Sequence, residues 1–294
     1  KYVGKFMVGE NAVTEYDDFI SVERDEIAVQ SKNYTYEEWK TVLKYQINLL
    51  MATFYGYGKE ILYYANSIDI KFTKLFDHIL SNKEKYPIVN ELVESYIKSY
   101  EDNMFDTEED LYAFINNNIE KFKKDKEYLV RLGQKRGLLS YVVKYILADD
   151  QNKYLNEIKK GICDLDPRDE VKEDLNIIFD LSIKLIINPF NKVFIPDIEL
   201  ESKYDFYGWI IDGYSKGLNF YKFDKPKKIL LKCRNSYTVS ETIKRDKREN
   251  RKDCFNFFRY MNTSLMRRYI DAPNGKTLNA PYPFRPESVY NYLD

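Results

Sequence analysis

One histidine and three cysteines are all that 294 residues offer of the side chains that most often hold transition metals. The lone His78 has no second imidazole beside it, so neither a histidine-rich metal site nor an HExxH helix can be built. Cys163, Cys233 and Cys254 are odd in number and show no CxxC or CxxxCxxC spacing, so a disulfide framework is not expected. They read as buried thiols in a reducing compartment. No apolar run reaches the roughly 18 to 20 residues a membrane helix needs, and no charged start with an apolar centre marks a secretory leader. The expectation is a cytoplasmic chain without a membrane partner. A phosphate-cradling glycine loop is also missing. Tyr55-Gly56-Tyr57-Gly58 lacks the third glycine and the preceding strand of a dinucleotide fingerprint, and reads as a kink or packing point. With 46 basic against 47 acidic residues, no net field draws the chain to nucleic acid.

What is present is core and tyrosine. Apolar residues make up 44% of the chain, enough to bury a real interior. The 27 tyrosines imply many half-buried rings with the hydroxyl on water or a partner. The fold class expected is mainly α, a multi-helical domain followed by a small mixed α/β region. The boundaries read as an irregular opening segment and edge strand over 1–30, a helical domain over 31–188, a small α/β region over 189–270 and an extended proline-rich tail over 271–294. Within the first segment only 26–30 reads as strand.

Thr35 with Glu38 forms a capping box, and Trp39, Leu43, Ile47, Leu50 and Phe54 then fall on one helical stripe. That helix is expected to pass through Gly56 and Gly58, distorted, to about Asn66. Further helices are expected over 70–80, from Pro87 to about Met104, and from Thr107 to about Phe122. Asp166-Pro167 reads as a cap and first turn for another. Residues 192–195 and 228–233 read as strands bounded by Pro196 and Pro226. Residues 240–270 read as a return to helix.

Candidate chemistry is sparse. Asp17-Asp18, Glu108-Glu109-Asp110 and Asp149-Asp150 are paired carboxylates, but most sit at helix starts, where negative charge suits the helix dipole. His78 beside Asp77 reads as a solvated helix side chain. The run from Lys244 to Lys252 reads first as the polar face of a helix. The alternative is an anionic or nucleic-acid partner at Lys244, Arg245, Arg248 and Arg251, with the following aromatics available for stacking.

One tract carries a resemblance. EYDDFISVERDEIAVQSKNYTYEEW, followed by LLMATFYGYGKEILYYAN, resembles the region after the catalytic barrel in radical SAM enzymes that carry an N-terminal cobalamin-binding domain. The positions concerned are Asp25, Glu26, Ile27, Ala28, Val29 and Ser31 in a short strand, then Thr35, Glu38 and Trp39 at a helix start. Ile68 to Phe76 is similar to the segment that begins the family's next helix. Tyr204-Asp205-Phe206 with Trp209, then Leu218, Phe220, Phe223, Pro226 and Ile229, is similar to its late element. The likeness is diffuse, spans about residues 15–270, and rests on order and spacing.

The family's CxxxCxxC cluster motif and its cobalamin domain are absent from this sequence. The resemblance therefore implies a non-catalytic C-terminal accessory domain, which caps the barrel in cis, closes the active site and helps select a small-molecule substrate. SAM, the iron–sulfur cluster and cobalamin would belong to the parent enzyme, with no cofactor, metal site or catalytic residue in this chain. A first residue other than Met fits a fragment or processed product. Arg24, Trp39, Tyr55 and Tyr57 are the expected contacts with substrate or barrel. The strand at 26–30 would abut the barrel, or else pair within this chain. A stand-alone helical binding module working through 240–270 is the alternative. A self-contained enzyme would need carboxylates converging near Asp17, Asp18 or Asp205.

Overall fold

The computed structural model describes residues 2–15, 20–53, 56–124, 151–186, 197–232 and 269–270. The chain is mainly α with a small mixed α/β region towards its C-terminal side, as the sequence pattern implies. It divides into two compact units, 1–51 with 82–151, and 52–81 with 152–294. The helical stretch expected over 31–188 is thus shared between two units instead of forming one.

The first unit opens with an antiparallel hairpin, β1 (Tyr2–Glu15) and β2 (Ile20–Ser31). This corrects the reading of the opening segment as irregular. The two strands carry alternating apolar residues that charged neighbours obscure, and the register shifts twice, between Val3 and Gly4 and between Val8 and Val13. A bulge breaks the period-2 signal on which sequence reading relies. The strand at 26–30 therefore has a partner within the chain. The outer side of β2 is partly closed as well, because the Tyr34 hydroxyl donates to the Ala28 carbonyl at 2.9 Å.

The unit continues with α1 (Tyr36–Thr53), α4 (Pro87–Glu101) and α5 (Glu108–Lys124). The capping box at α1 is formed. The Glu38 amide donates to Thr35 Oγ1 at 3.2 Å and the Thr35 amide donates to Glu38 Oε2 at 2.7 Å. Leu43, Ile47 and Met51 bury one stripe of α1. Pro87 stands in the first turn of α4, where its missing N–H costs nothing. Thr107 caps α5 by accepting from the Asp110 amide. Phe6 and Phe105 exchange backbone hydrogen bonds, 2.9 and 2.8 Å long. That bridge sets β1 against α5, where Val8, Leu111 and Ile115 form a small core with Phe6, Val22, Phe105, Phe114 and Ile119 around it.

Early in the second unit comes a break the sequence reading did not expect. Gly56 (φ 69°) and Gly58 (φ 76°) are left-handed, so the helix cannot run through them. A separate helix, α2 (Lys59–Ser67), starts instead and is followed by α3 (Phe72–Ser81). Next come α6 (Gln151–Leu165) and α7 (Asp169–Leu185). A side chain at Gly161 would meet Ile79 at 2.9 Å, so the missing side chain lets α6 pack closely on α3. Asp166 does not cap α7 as expected. Arg168 is the N-cap residue, and Asp166 Oδ1 accepts its amide at 3.3 Å in a turn two residues wide.

The mixed region contains β3 (Ile198–Tyr204), α8 (Phe206–Ile211), a 3-10 turn (Leu218–Tyr221), β4 (Lys222–Lys232) and the short β5 (Tyr269–Ile270), in sheet order β3-β4-β5. β3 was not expected. Pro226 lies inside β4 instead of bounding it. The register slips there, with Ser202 opposite Lys227 and Tyr204 opposite Lys222, and such an irregularity tolerates a residue without an N–H. Residues 269–270 are strand, not the end of a helix, and pair with Leu231 and Lys232. The expected strand at 192–195, the basic run with Lys244, Arg245, Arg248 and Arg251, and the tail over 271–294 lie outside the described residues.

Candidate functional site

A cleft of about 430 Å³ opens on the second unit. Three segments wall it. The end of α2 gives Tyr64, Ser67 and Ile68, the start of α7 gives Arg168, Glu170, Val171 and Asp174, and the loop into the 3-10 turn gives Lys216 to Phe220. α7 presents Asp174 on a buried face that also holds Val171, Leu175, Ile178, Leu181, Ser182 and Leu185. A carboxylate at a core position of a helix must find partners, and Asp174 has two hydrogen-bond donors and one ion pair.

Tyr64 donates its hydroxyl to Asp174 Oδ2 at 3.3 Å and Tyr204 donates to Oδ1 at 2.5 Å. The Lys203 ammonium lies 3.6 Å from Oδ1. Asp174 is only 2% exposed, so these contacts operate with little competition from water. Burial, followed by the neighbouring carboxylate, pushes the Tyr64 phenol well above its ordinary range. The Tyr204 phenol moves the same way, through burial and then its bond to Asp174. Both stay protonated donors at neutral pH. Asn219 extends the network by donating to Glu170 Oε1 at 2.8 Å.

Behind the cleft an aromatic ladder supports β3 and α8. Tyr204, Phe206, Trp209 and Tyr214 follow one another at ring separations of 6.1, 6.1 and 4.9 Å, and Tyr214 stacks on Tyr63 at 4.1 Å. Asp205 caps α8 by accepting the Gly208 amide at 3.0 Å. At the other end the Tyr214 amide donates to the Trp209 carbonyl and the Gly213 amide to the Ile210 carbonyl, a Schellman closure. Gly213 supplies its left-handed residue at φ 67°. Tyr204, Asp205, Phe206 and Trp209, which carry part of the resemblance, thus serve as network donor, cap and core. Asp205 does not converge on the cleft as an enzyme site would require.

The other expected contacts fall elsewhere. Arg24, on β2, pairs with Glu108 and lies 6.0 Å from the Tyr112 ring. Trp39, on α1, stacks on Tyr36 at 5.4 Å and meets Tyr100 edge-on at 5.8 Å. Both belong to the first unit. Tyr57 belongs to the second, buried between the two left-handed glycines. Tyr55, Asp17 and Asp18 lie outside the described residues. His78 Nε2 sits 3.5 Å from Asp164 Oδ2. Among the described residues no group of three His, Cys, Asp or Glu could hold a metal ion. Cys163 is half-buried, and burial pushes its thiol up. No helix among the described residues is long and apolar enough to cross a membrane.

The sequence reading missed the cleft because its residues come from three distant segments. Only Asp174, a carboxylate on a mostly apolar face, left a local trace. Comparisons with protein-family models, with curated proteins and with solved structures find no match to this chain.

Proposed function

We propose that the chain acts as a non-catalytic accessory domain that holds a small molecule for a catalytic partner. The partner implied by the resemblance is the barrel of a cobalamin-dependent radical SAM enzyme, joined in cis. The cleft carries this reading. Its carboxylate and phenols satisfy one another, and phenols held protonated donate hydrogen bonds instead of taking protons. Such a wall binds and orients. Lids of this kind exclude water and sharpen selection among substrates.

The test is the intact mass of the native polypeptide in its source cells, with the iron and cobalt content of the purified material. A mass well above 35.2 kDa with iron present is expected. A mass of 35.2 kDa without either metal would overturn the accessory-domain reading.

A further inference from the structure

We infer that the outer edge of β2, over residues 24–28, takes an added strand: an extended segment of the catalytic partner with a lysine or arginine opposite Asp25. The inference rests on the partner proposed above and adds how that partner is held. It starts from the direction of the backbone groups. Phe6 exchanges both its backbone hydrogen bonds with Phe105, away from β2. In an antiparallel ladder the residue opposite such a position also turns its N–H and C=O outward, and the pattern repeats every second residue. Glu26 stands opposite Phe6, Arg24 opposite Val8 and Ala28 opposite Gly4. All three therefore aim their backbone groups away from the hairpin. The Tyr34 hydroxyl reaches the Ala28 carbonyl from that outer side, at 2.9 Å, which agrees with the direction.

Among the described residues nothing else bonds to this edge. The amides of Arg24, Glu26 and Ala28 and the carbonyls of Arg24 and Glu26 have no protein partner. The pairing runs without a bulge from Val8 opposite Arg24 to Gly4 opposite Ala28, and β2 contains no proline. Two of the usual guards of an open edge are thus missing. A third, charge, is turned aside onto the hairpin's own unit. Arg24 pairs with Glu108 on α5, and Glu26 accepts from the Tyr2 hydroxyl at 3.0 Å. Outward amides and carbonyls on alternate residues of an extended chain are matched by the backbone of another strand.

Charge decides against a second copy as that strand. An antiparallel two-fold register centred on residue 24, 25 or 26 sets Arg24 on Arg24, Asp25 on Asp25 or Glu26 on Glu26, and like charges directly opposite destabilise a pair. A register centred on 27 or 28 needs the Ala28 carbonyl, which Tyr34 already holds. Asp25 is exposed, lies on the other face of the strand from Arg24 and Glu26, and makes no ion pair among the described residues. A cation opposite it on the incoming strand supplies one.

The experiment compares hydrogen exchange at single amides in the isolated 294-residue chain and in the native polypeptide purified from its source cells. In the isolated chain the Arg24, Glu26 and Ala28 amides should exchange freely, and those of Asp25 and Ile27, which face β1, slowly. In the native polypeptide the first three should be slowed by roughly a hundredfold or more. Glu26→Pro removes only an outward N–H. It should release Arg24 and Ala28 in the native polypeptide and leave the melting of the isolated chain close to wild type. Asp25→Lys should weaken the protection by about tenfold. Free exchange at the three amides in a native polypeptide well above 35.2 kDa would overturn the inference and leave the accessory-domain reading standing. Protection that survives Glu26→Pro, protection that fades on dilution as a dimer's does, or an isolated chain unfolded by Glu26→Pro would overturn it too. A native mass of 35.2 kDa removes the accessory-domain reading and, with it, the partner that supplies the strand.

Discussion

Tyr204 donates its hydroxyl to Asp174 Oδ1 at 2.5 Å, and this one bond ties the end of β3 to the middle of α7. Tyr64 on α2 reaches the other oxygen of the same carboxylate. A single buried charge thus joins a strand and two helices at the floor of the cleft. Breaking such a group from one side costs more than the bond is worth, because the remaining partners stay buried without it. Asp174→Ala should destabilise the chain by about 3 kcal/mol, and Tyr204→Phe by roughly 1 to 3 kcal/mol. Urea unfolding of the two single variants and the double variant checks this. If the loss in the double variant equals the sum of the two single losses, the two residues are not coupled.

Alkaline pH should loosen the same unit. Tyr64, Tyr154 and Tyr204 are buried phenols with folded-state pKa values raised above the ordinary 10.0. Below that value both states carry the proton and stability does not change on their account. Above it the unfolded chain releases protons that the folded chain retains, so stability falls as pH rises. Each phenol contributes a slope of about 1.4 kcal/mol per pH unit while this lasts. Phenolate absorbance followed against pH should rise together with unfolding. Tyr154→Phe should reduce the slope by about a third if the three contribute alike.

Glycine substitutions should separate packing from backbone strain. Gly161→Ala places a methyl 2.9 Å from Ile79 and 3.1 Å from Leu75. The overpacking should cost about 1 to 3 kcal/mol, exceeding the gain of up to about 1 kcal/mol from helix propensity. Gly213→Ala meets no atom but sits at φ 67°, and should cost about 1 kcal/mol through strain alone. Gly217→Ala should be neutral. Thermal melting ranks the three.

The first unit should respond at the hairpin. Leu111→Ala opens a cavity beside Val8 and Ile115, in a core with few other members. A loss of about 2 to 4 kcal/mol is expected. Hydrogen exchange should then accelerate at the Phe6 amide, which bonds to the Phe105 carbonyl. Exchange rates at β1 that stay unchanged would show that α5 does not hold the hairpin.

The capping box is the most local of these devices. Thr35→Ala should cost about 1 kcal/mol. The Glu38 carboxyl is held below its usual range by the Thr35 amide, so this support is present above that range and fades on acidification. Helical circular dichroism of wild type and Thr35→Ala across acid pH would compare the two.

Periodicity and caps were legible wherever they are local. The helix starts at Thr35, Pro87 and Thr107 could be read because each cap lies within three or four residues of what it caps. The hairpin was illegible before residue 26 because its bulges break the alternation, and β3 because Glu199 and Glu201 dominate its short alternating run. The likeness at Tyr204-Asp205-Phe206 picked out residues that the fold uses as network donor, cap and core, whereas the expected contacts Arg24 and Trp39 pack within the first unit.

The sequence by itself determined the class of the fold and the helix starts at Thr35, Pro87 and Thr107, since composition and short-range spacing decide these. Tertiary structure alone decided that Asp174, Tyr64 and Tyr204 meet, that Gly217 faces open space, and that the helices divide between two units. Those facts depend on residues 30 to 110 positions apart, whose approach follows from packing across the chain and leaves no mark in any short window of sequence.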